Sequence, residues 1–378
     1  MRPMRLVACL AAMAISGCGV ENSAVAPAAT GDAKLSRLES IGQKLFLDIT
    51  LSNPPGQSCG SCHDAATGFS GNFGSTAGVP LGADGSSLGL RNTPTAAYAS
   101  FTPAFTLTTT GAHQVANGGL FLDGRAASLE EQASMPFFGA GEMNLPSRAE
   151  LAARLANAAY APLMLDEFGG DLFTDPDRVL RAVTSAIAAF ERSADFAPFS
   201  SKFDHWVAGE VALSDLEKEG LALFDNPLKG NCSKCHAFDP ASRIGSKLLF
   251  TDFSYHNLGV PRNPLIPANA DPAFFDLGLC GPRRARVADD SLCGAFKVPT
   301  LRNVARRSAF MHNGVFTKLR DAVAFHATRD VAPDLPAALR VNVDATQVRL
   351  DGREIDAITA FLATLDDGFG APRAPGAR

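Results

Sequence analysis

Beyond its N-terminus the chain holds no apolar run that approaches the length needed to cross a bilayer. It has no stripe of lysine and arginine, and its net charge of −5 argues against nucleic acid as a partner. Charged residues are only 19% of it and hydrophobic residues 46%, which excludes a disordered chain and fits a folded one. Strand patterning is scarce. Tryptophan is nearly absent, Trp206 being the only one in 378 residues. That length suits two domains of ordinary size, each with ample core.

The N-terminus reads as a targeting segment. Arg2 and Arg5 precede the short apolar run "LVACLAAMAIS", and "ISGC" follows. Small residues before a cysteine are the pattern of a bacterial lipoprotein signal. Residues 1–17 would then be removed, Cys18 would carry lipid, and 18–32 would form a flexible tether. The alternative is a plain secretory signal cut near Ala24–Ala28. Either exports the chain, and the reading is a periplasmic protein whose membrane attachment, if any, is a lipid anchor.

Export decides how to count the eight cysteines. Cys9 leaves with the signal and Cys18 is the lipid site. Cys280 and Cys293 flank a short loop in an oxidising compartment, so a disulfide is expected, with free buried thiols as the alternative. The other four stand in "CGSCH" (59–63) and "CSKCH" (232–236). A redox dithiol would need a βαβ setting, and a zinc site would need further ligands at short spacing; neither is visible. A histidine directly after the second cysteine points to covalent c-type haem. Cys59, Cys62, Cys232 and Cys235 would form thioethers, with His63 and His236 as proximal iron ligands. Two copies in one exported chain imply two haem c groups.

Both copies follow Gly–x–x–Leu–Phe. Ser214 to Glu217 reads as a capping box opening a helix into the second copy. Leu35, Leu38, Ile41 and Leu45 make an apolar stripe before the first. Ser147–Leu155, Pro176–Arg192 and 352–365 read as further helices, the last packed across a haem. The expected fold is all-α, two cytochrome c-like haem domains with long loops, covering 33–200 and 201–378.

Beyond these units, "RNTPT" (91–95), "FLDGRAASLEEQA" (121–133), "GEM" (141–143), "FKVPTLRNVA" (296–305) and "LRDAVAFH" (319–326) resemble, in order and spacing, the bacterial diheme cytochrome c peroxidases and MauG. The resemblance covers nearly all of the mature chain. It implies a first haem open to hydrogen peroxide and a second, six-coordinate haem that passes electrons. In the family's peroxidases a histidine in the loop after the first haem motif blocks the first iron. Here that loop, 64–90, contains no His, Met, Lys or Tyr, so the first haem is expected to stay open. The position matching the second haem's distal ligand is His326, where the peroxidases have Met and MauG has Tyr; Met311 and His256 are the alternatives. A bis-His iron would have a lower potential than His/Met.

The resemblance further assigns peroxide acid–base chemistry to Glu142, with Gln132 beside it; without it they would read as a solvated loop acid and a helix-surface amide. Leu122 departs from the family's inter-haem Trp, which puts a tryptophan relay and a charge-shared two-haem state in doubt. A calcium ion would be held by Asn92 and the carbonyls of Arg307 and Ala309, the alternative being a turn asparagine with no ion. Arg302 would pair with a haem propionate or else lie on the surface. Dimers are common in that family. The leading functional reading is a peroxidase fed by a small periplasmic donor, a cytochrome c or cupredoxin. The others are a MauG-like enzyme acting on a protein substrate, and a non-catalytic electron carrier.

Overall fold

Helix starts in this chain are marked by capping residues, and the structure uses them. It is a computed structural model and describes residues 35–111, 113–237, 243–244, 247–281, 290–328 and 350–370. The signal, the tether and Cys18 lie outside the described residues. Ser36 and Glu39 close a capping box on α1 (Arg37–Leu47), which leads to the short α2 (Cys59–Cys62). Then come α3 (Leu129–Ser134), α4 (Arg148–Ala156), α5 (Ala161–Phe168) and α6 (Pro176–Glu191), the last with Asp175 as N-cap and Pro176 at its first position. In the second half α7 (Lys202–Val207) precedes α8 (Asp215–Asp225), where Ser214 and Glu217 form the box read from the sequence. α9 (Leu319–Thr328) and α10 (Gly352–Ala363) complete the helices among the described residues.

The all-α expectation needs a correction, because three two-stranded antiparallel sheets are present. β1 (Thr106–Thr110) pairs with β2 (His113–Asn117). β3 (Arg243–Ile244) pairs with β4 (Lys247–Leu248), and β5 (Tyr255–His256) with β6 (Phe296–Lys297). The β-branched run "TLTTT" suits β1, but each sheet is too small to stand alone and is held by its surroundings. The fold is helix-rich with small sheets in its long connections.

Two large cores lie along the chain, one drawing on residues from Ile41 to Phe196 and one from Phe203 to Leu365. Each is organised by one helix crossing. α1 lies on α6 at Gly42, where any side chain would run into the Ala186 carbonyl and Phe190. α8 lies on α10 at Gly220, where a side chain would meet the Ala357 carbonyl and Phe361 in the same way. Phenylalanines pack edge-on around each crossing: Phe46 with Phe190 at 5.6 Å, Phe224 with Phe361 at 5.2 Å. Burying one such ring contributes about 1.5–3 kcal/mol. Among the described residues no helix is long and apolar enough to cross a membrane.

Candidate haem sites

The two crossings carry the same local machinery. After each CxxCH unit the histidine turns back onto its own chain. His63 Nδ1 lies 3.0 Å from the Phe69 carbonyl, and His236 Nδ1 lies 3.0 Å from the Phe250 carbonyl. A carbonyl only accepts, so the proton is on Nδ1 and Nε2 is the basic nitrogen, as iron ligation requires. Phe69 and Phe250 both adopt left-handed backbone, at φ 57° and 54°. The turns are pinned alike: Thr95 Oγ1 donates to Gly68 at 2.7 Å and Thr300 Oγ1 to Leu249 at 2.6 Å. Burial lowers the pKa of His63 and pushes that of His236 down to about 4, with His326 as the next cause, so both imidazoles are neutral at pH 7. Cys59, Cys62, Cys232 and Cys235 are half-buried and outside any disulfide. Cys280 and Cys293 are disulfide-bonded, with Cα atoms 4.9 Å apart.

A large, mostly apolar cavity opens beside the second unit. Cys232, Cys235 and His236 line it, as do Ala322, Val323 and His326 of α9. Met311 and His256 also reach it. His256 Nε2 is engaged with Ser254 Oγ at 2.9 Å and lies 3.4 Å from Cys235 Sγ, beside the thioether position. His326 Nδ1 donates to the Ala322 carbonyl at 2.8 Å, which makes its Nε2 the basic nitrogen, the same tautomer as in His236. These residues fit a haem: two thiols, the imidazole next to them in sequence and a second imidazole on α9. Leu122 lines the same cavity.

Around the first unit, burial pushes the Cys59 and Cys62 thiols up to about 12, and for Cys62 the Glu142 carboxylate is the next cause. The backbone places the Glu142 segment near the first CxxCH unit: Asn53 N, six residues before Cys59, donates to the Met143 carbonyl at 2.7 Å. The same segment is tied to the 64–90 loop, Ala83 N donating to the Glu142 carbonyl at 2.9 Å, and the Glu142 carboxylate folds back against Gly139. Gln132 is half-buried on α3. Gln57 Nε2 bonds the Leu81 carbonyl at 2.8 Å and reaches Cys62 Sγ at 3.8 Å, fastening the loop to the haem motif.

Arg302 has a different partner from the one expected. It is fully buried, neither on the surface nor at the cavity wall. Its Nη1 and Nη2 hold Asp204 at 2.6 and 2.9 Å, and its Nε donates to the Leu248 carbonyl at 2.7 Å. A guanidinium so deep needs a carboxylate, and the cap of α7 supplies it. The arginine that reaches the second cavity is Arg307. Its Nε is buried without a hydrogen-bond partner among the described residues. Asn92 meets Ala309 as expected, but through its nitrogen: Nδ2 donates to the Ala309 carbonyl at 2.9 Å. Asn92 and the Ala309 carbonyl, two of the three groups expected to hold calcium, thus stand side by side.

Two buried groups escaped the sequence reading. Glu191, on α6 in step with Val183 and Ile187, is 5% exposed. Burial pushes its carboxyl up to about 8, opposed by Arg192 and aided by Glu130. Phe190, the residue before Glu191, packs on Phe46 at 5.6 Å, and the Phe46 ring lies 6.4 Å from that of His63. An acid at i, i+4 in an apolar stripe was the available signal. Lys297 lines the second cavity, its Nζ donating to the Gly119 carbonyl; burial lowers it to about 7 against the pull of Asp123.

Two helix crossings, each leading to two thiols and a correctly protonated imidazole, make the arrangement of a two-centre c-type haem protein. The family model for di-haem cytochrome c peroxidase matches residues 36–212. The chain is 37% identical to methylamine utilization protein MauG of Paracoccus denitrificans, over 96% of this chain and 96% of that protein. It is 30% identical to cytochrome c551 peroxidase of Nitrosomonas europaea, over 94% of this chain and 87% of that one. The diheme peroxidase BthA from Burkholderia thailandensis has the same fold, with a TM-score of 0.81 at 37% identity, covering 88% of this chain and 87% of that one. The chain therefore belongs to the di-haem cytochrome c peroxidase and MauG family. Membership makes it an oxidoreductase and implies two haem c groups.

Proposed function

We propose that the protein is an exported peroxidase that reduces hydrogen peroxide to water, drawing two electrons and two protons per peroxide from a small periplasmic donor and solvent. When bound, the haems supply iron that takes up peroxide and exchanges electrons. The residues of the chain do the rest. His63 and His236 would each hold one iron, and His326 would be a second ligand to the iron held by His236. Glu142 takes a proton from one peroxide oxygen and returns it to the other, while Gln132 orients the peroxide. Residues 33–200 serve the first haem and 201–378 the second. Asn92 Oδ1 and the carbonyls of Arg307 and Ala309 would hold a calcium ion, with the Asn92 amide turned so that its oxygen faces the ion.

The observation that carries this reading is the Glu142 segment beside the first CxxCH unit, bonded to a loop that holds no His, Met, Lys or Tyr. An electron carrier gains nothing from either. EPR of the oxidised protein tests it: one high-spin and one low-spin ferric haem are expected, and two low-spin haems would sink the proposal. A second reading, oxidation of residues in a partner protein, draws on the 37% identity to MauG. Leu122, in place of the family's tryptophan, weighs against it.

A further inference from the structure

Between the two proximal-histidine turns lies a buried tyrosine with a carboxylate for a partner. Tyr98 is 2% exposed. Its hydroxyl donates to Asp367, at 2.9 Å from Oδ1 and 2.8 Å from Oδ2, and accepts from Phe199 N at 3.1 Å. Asp367 is itself 8% exposed and is held by Ser200 N at 3.0 Å and Asn303 Nδ2 at 2.7 Å. The phenol is therefore fixed against a proton acceptor that has two other donors to steady it.

The position relates Tyr98 to both sites. On one side, the Phe69 carbonyl that accepts from His63 Nδ1 also accepts from Ala96 N at 3.0 Å, two residues before Tyr98. Phe69 packs in the same cluster as Tyr98. On the other side, Leu249 packs in that cluster, next to Phe250, whose carbonyl accepts from His236. The Arg302 guanidinium stands 5.5 Å from the Tyr98 ring and 5.8 Å from the Phe250 ring. Tyr98 and Asn303 also occupy equivalent places in the two halves. Each lies three residues after the threonine that pins its turn and has left-handed backbone, at φ 62° and 58°, and each bonds Asp367. Where one half puts an amide, the other puts a group that can be oxidised.

We propose that Tyr98 is a redox-active tyrosine serving both haem sites. Resting on the reading that peroxide oxidises the first site, the step is one electron from the phenol to the oxidised haem protein and the phenolic proton to the Asp367 carboxylate. The O–H bond of Tyr98 breaks, an O–H bond forms on Asp367, and a neutral tyrosyl radical remains. One electron from the second site, with return of the proton from Asp367, restores the phenol. Burial, and then the Asp367 charge, raise the phenol's pKa well above the usual tyrosine range, so it stays protonated and its electron and proton leave together.

The test is freeze-quench EPR of the haem-loaded protein mixed with peroxide without donor, with the Soret band recorded alongside. A radical signal whose ring-proton splitting collapses on incorporation of ring-deuterated tyrosine is expected. It should be lost in Tyr98→Phe and persist in Tyr160→Phe and Tyr255→Phe, which replace the other two tyrosines. Asp367→Asn, which keeps Tyr98 but removes the proton acceptor, should lose it as well. A Soret change without a tyrosyl signal, or a signal that survives Tyr98→Phe, overturns the proposal. The same variants are run with a one-electron ruthenium photo-oxidant in place of peroxide. If peroxide leaves the Soret band unchanged while the photo-oxidant raises the Tyr98 signal, the peroxide reading fails and Tyr98 stands; if neither oxidant raises it, Tyr98 falls.

Discussion

Replacing Glu191 by glutamine should make the protein more stable, and more so as pH rises. The carboxyl is 5% exposed, and burial moves it from its ordinary 4.5 up to about 8. In the pH range between those values the folded state keeps a proton that the unfolded chain releases. Stability is then fully present below about 4.5 and is lost as pH rises toward about 8, with no further loss above. The whole rise corresponds to at most about 5 kcal/mol at about 1.36 kcal/mol per pH unit. Between pH 5 and pH 8 the ceiling is about 4 kcal/mol, a large fraction of the net stability of a typical domain. Glutamine has nearly the same shape and does not titrate. Urea unfolding of the haem-loaded wild type and Glu191→Gln at several pH values should give curves that nearly meet at pH 5 and diverge by up to that amount at pH 8. Infrared difference spectra at pH 7 should show a protonated carboxyl band in the wild type that the variant lacks. Equal pH slopes together with no such band would refute the reasoning.

Glu142→Gln should lower steady-state peroxide reduction by about 10²–10⁴-fold with resting haem spectra little altered, and Gln132→Ala should cost less; near-normal turnover in Glu142→Gln would remove it from the chemistry. His326→Ala should shift or abolish the low-spin ferric EPR signal while both haems stay attached, and an unchanged signal would point to Met311 or His256. Gly220→Ala should force α8 off α10, costing about 1–3 kcal/mol in a thermal melt of the haem-loaded protein, whereas Gly170→Ala, at an exposed turn with open space and ordinary backbone, should leave the melt nearly unchanged.

The haem motifs were legible in the sequence because their chemistry needs those residue types at that spacing. The internal repeat was legible only as Gly–x–x–Leu–Phe ahead of each motif. In three dimensions it reaches much further, through Thr95 and Thr300 to Tyr98 and Asn303. These pairs keep backbone conformation and turn bonds while one side chain has changed, and residue type alone does not reveal that. β1 and β2 were not read because two short strands draw their stability from what they pack on. The partner of Arg302 was out of reach for another reason: Asp204 lies 98 residues earlier, and only the fold joins them. Glu191 is the last residue of α6, beside Arg192, where an acid is ordinary in sequence; only the packing shows it to be buried.

Gly78 and Gly314 meet backbone to backbone, both left-handed, each closed to any side chain by the other's carbonyl. Asn263 rivets the same place, donating to the carbonyls of Ala77 and Asn313 at 2.7 and 2.8 Å. The loop after the first haem motif and the turn carrying Met311 and His312 are thus one mechanical part, and neither can be displaced without the other. Such a loop works as a keystone rather than a gate. On the proposed reading of the first site, timing would pass from the posture of a loop to the supply of electrons.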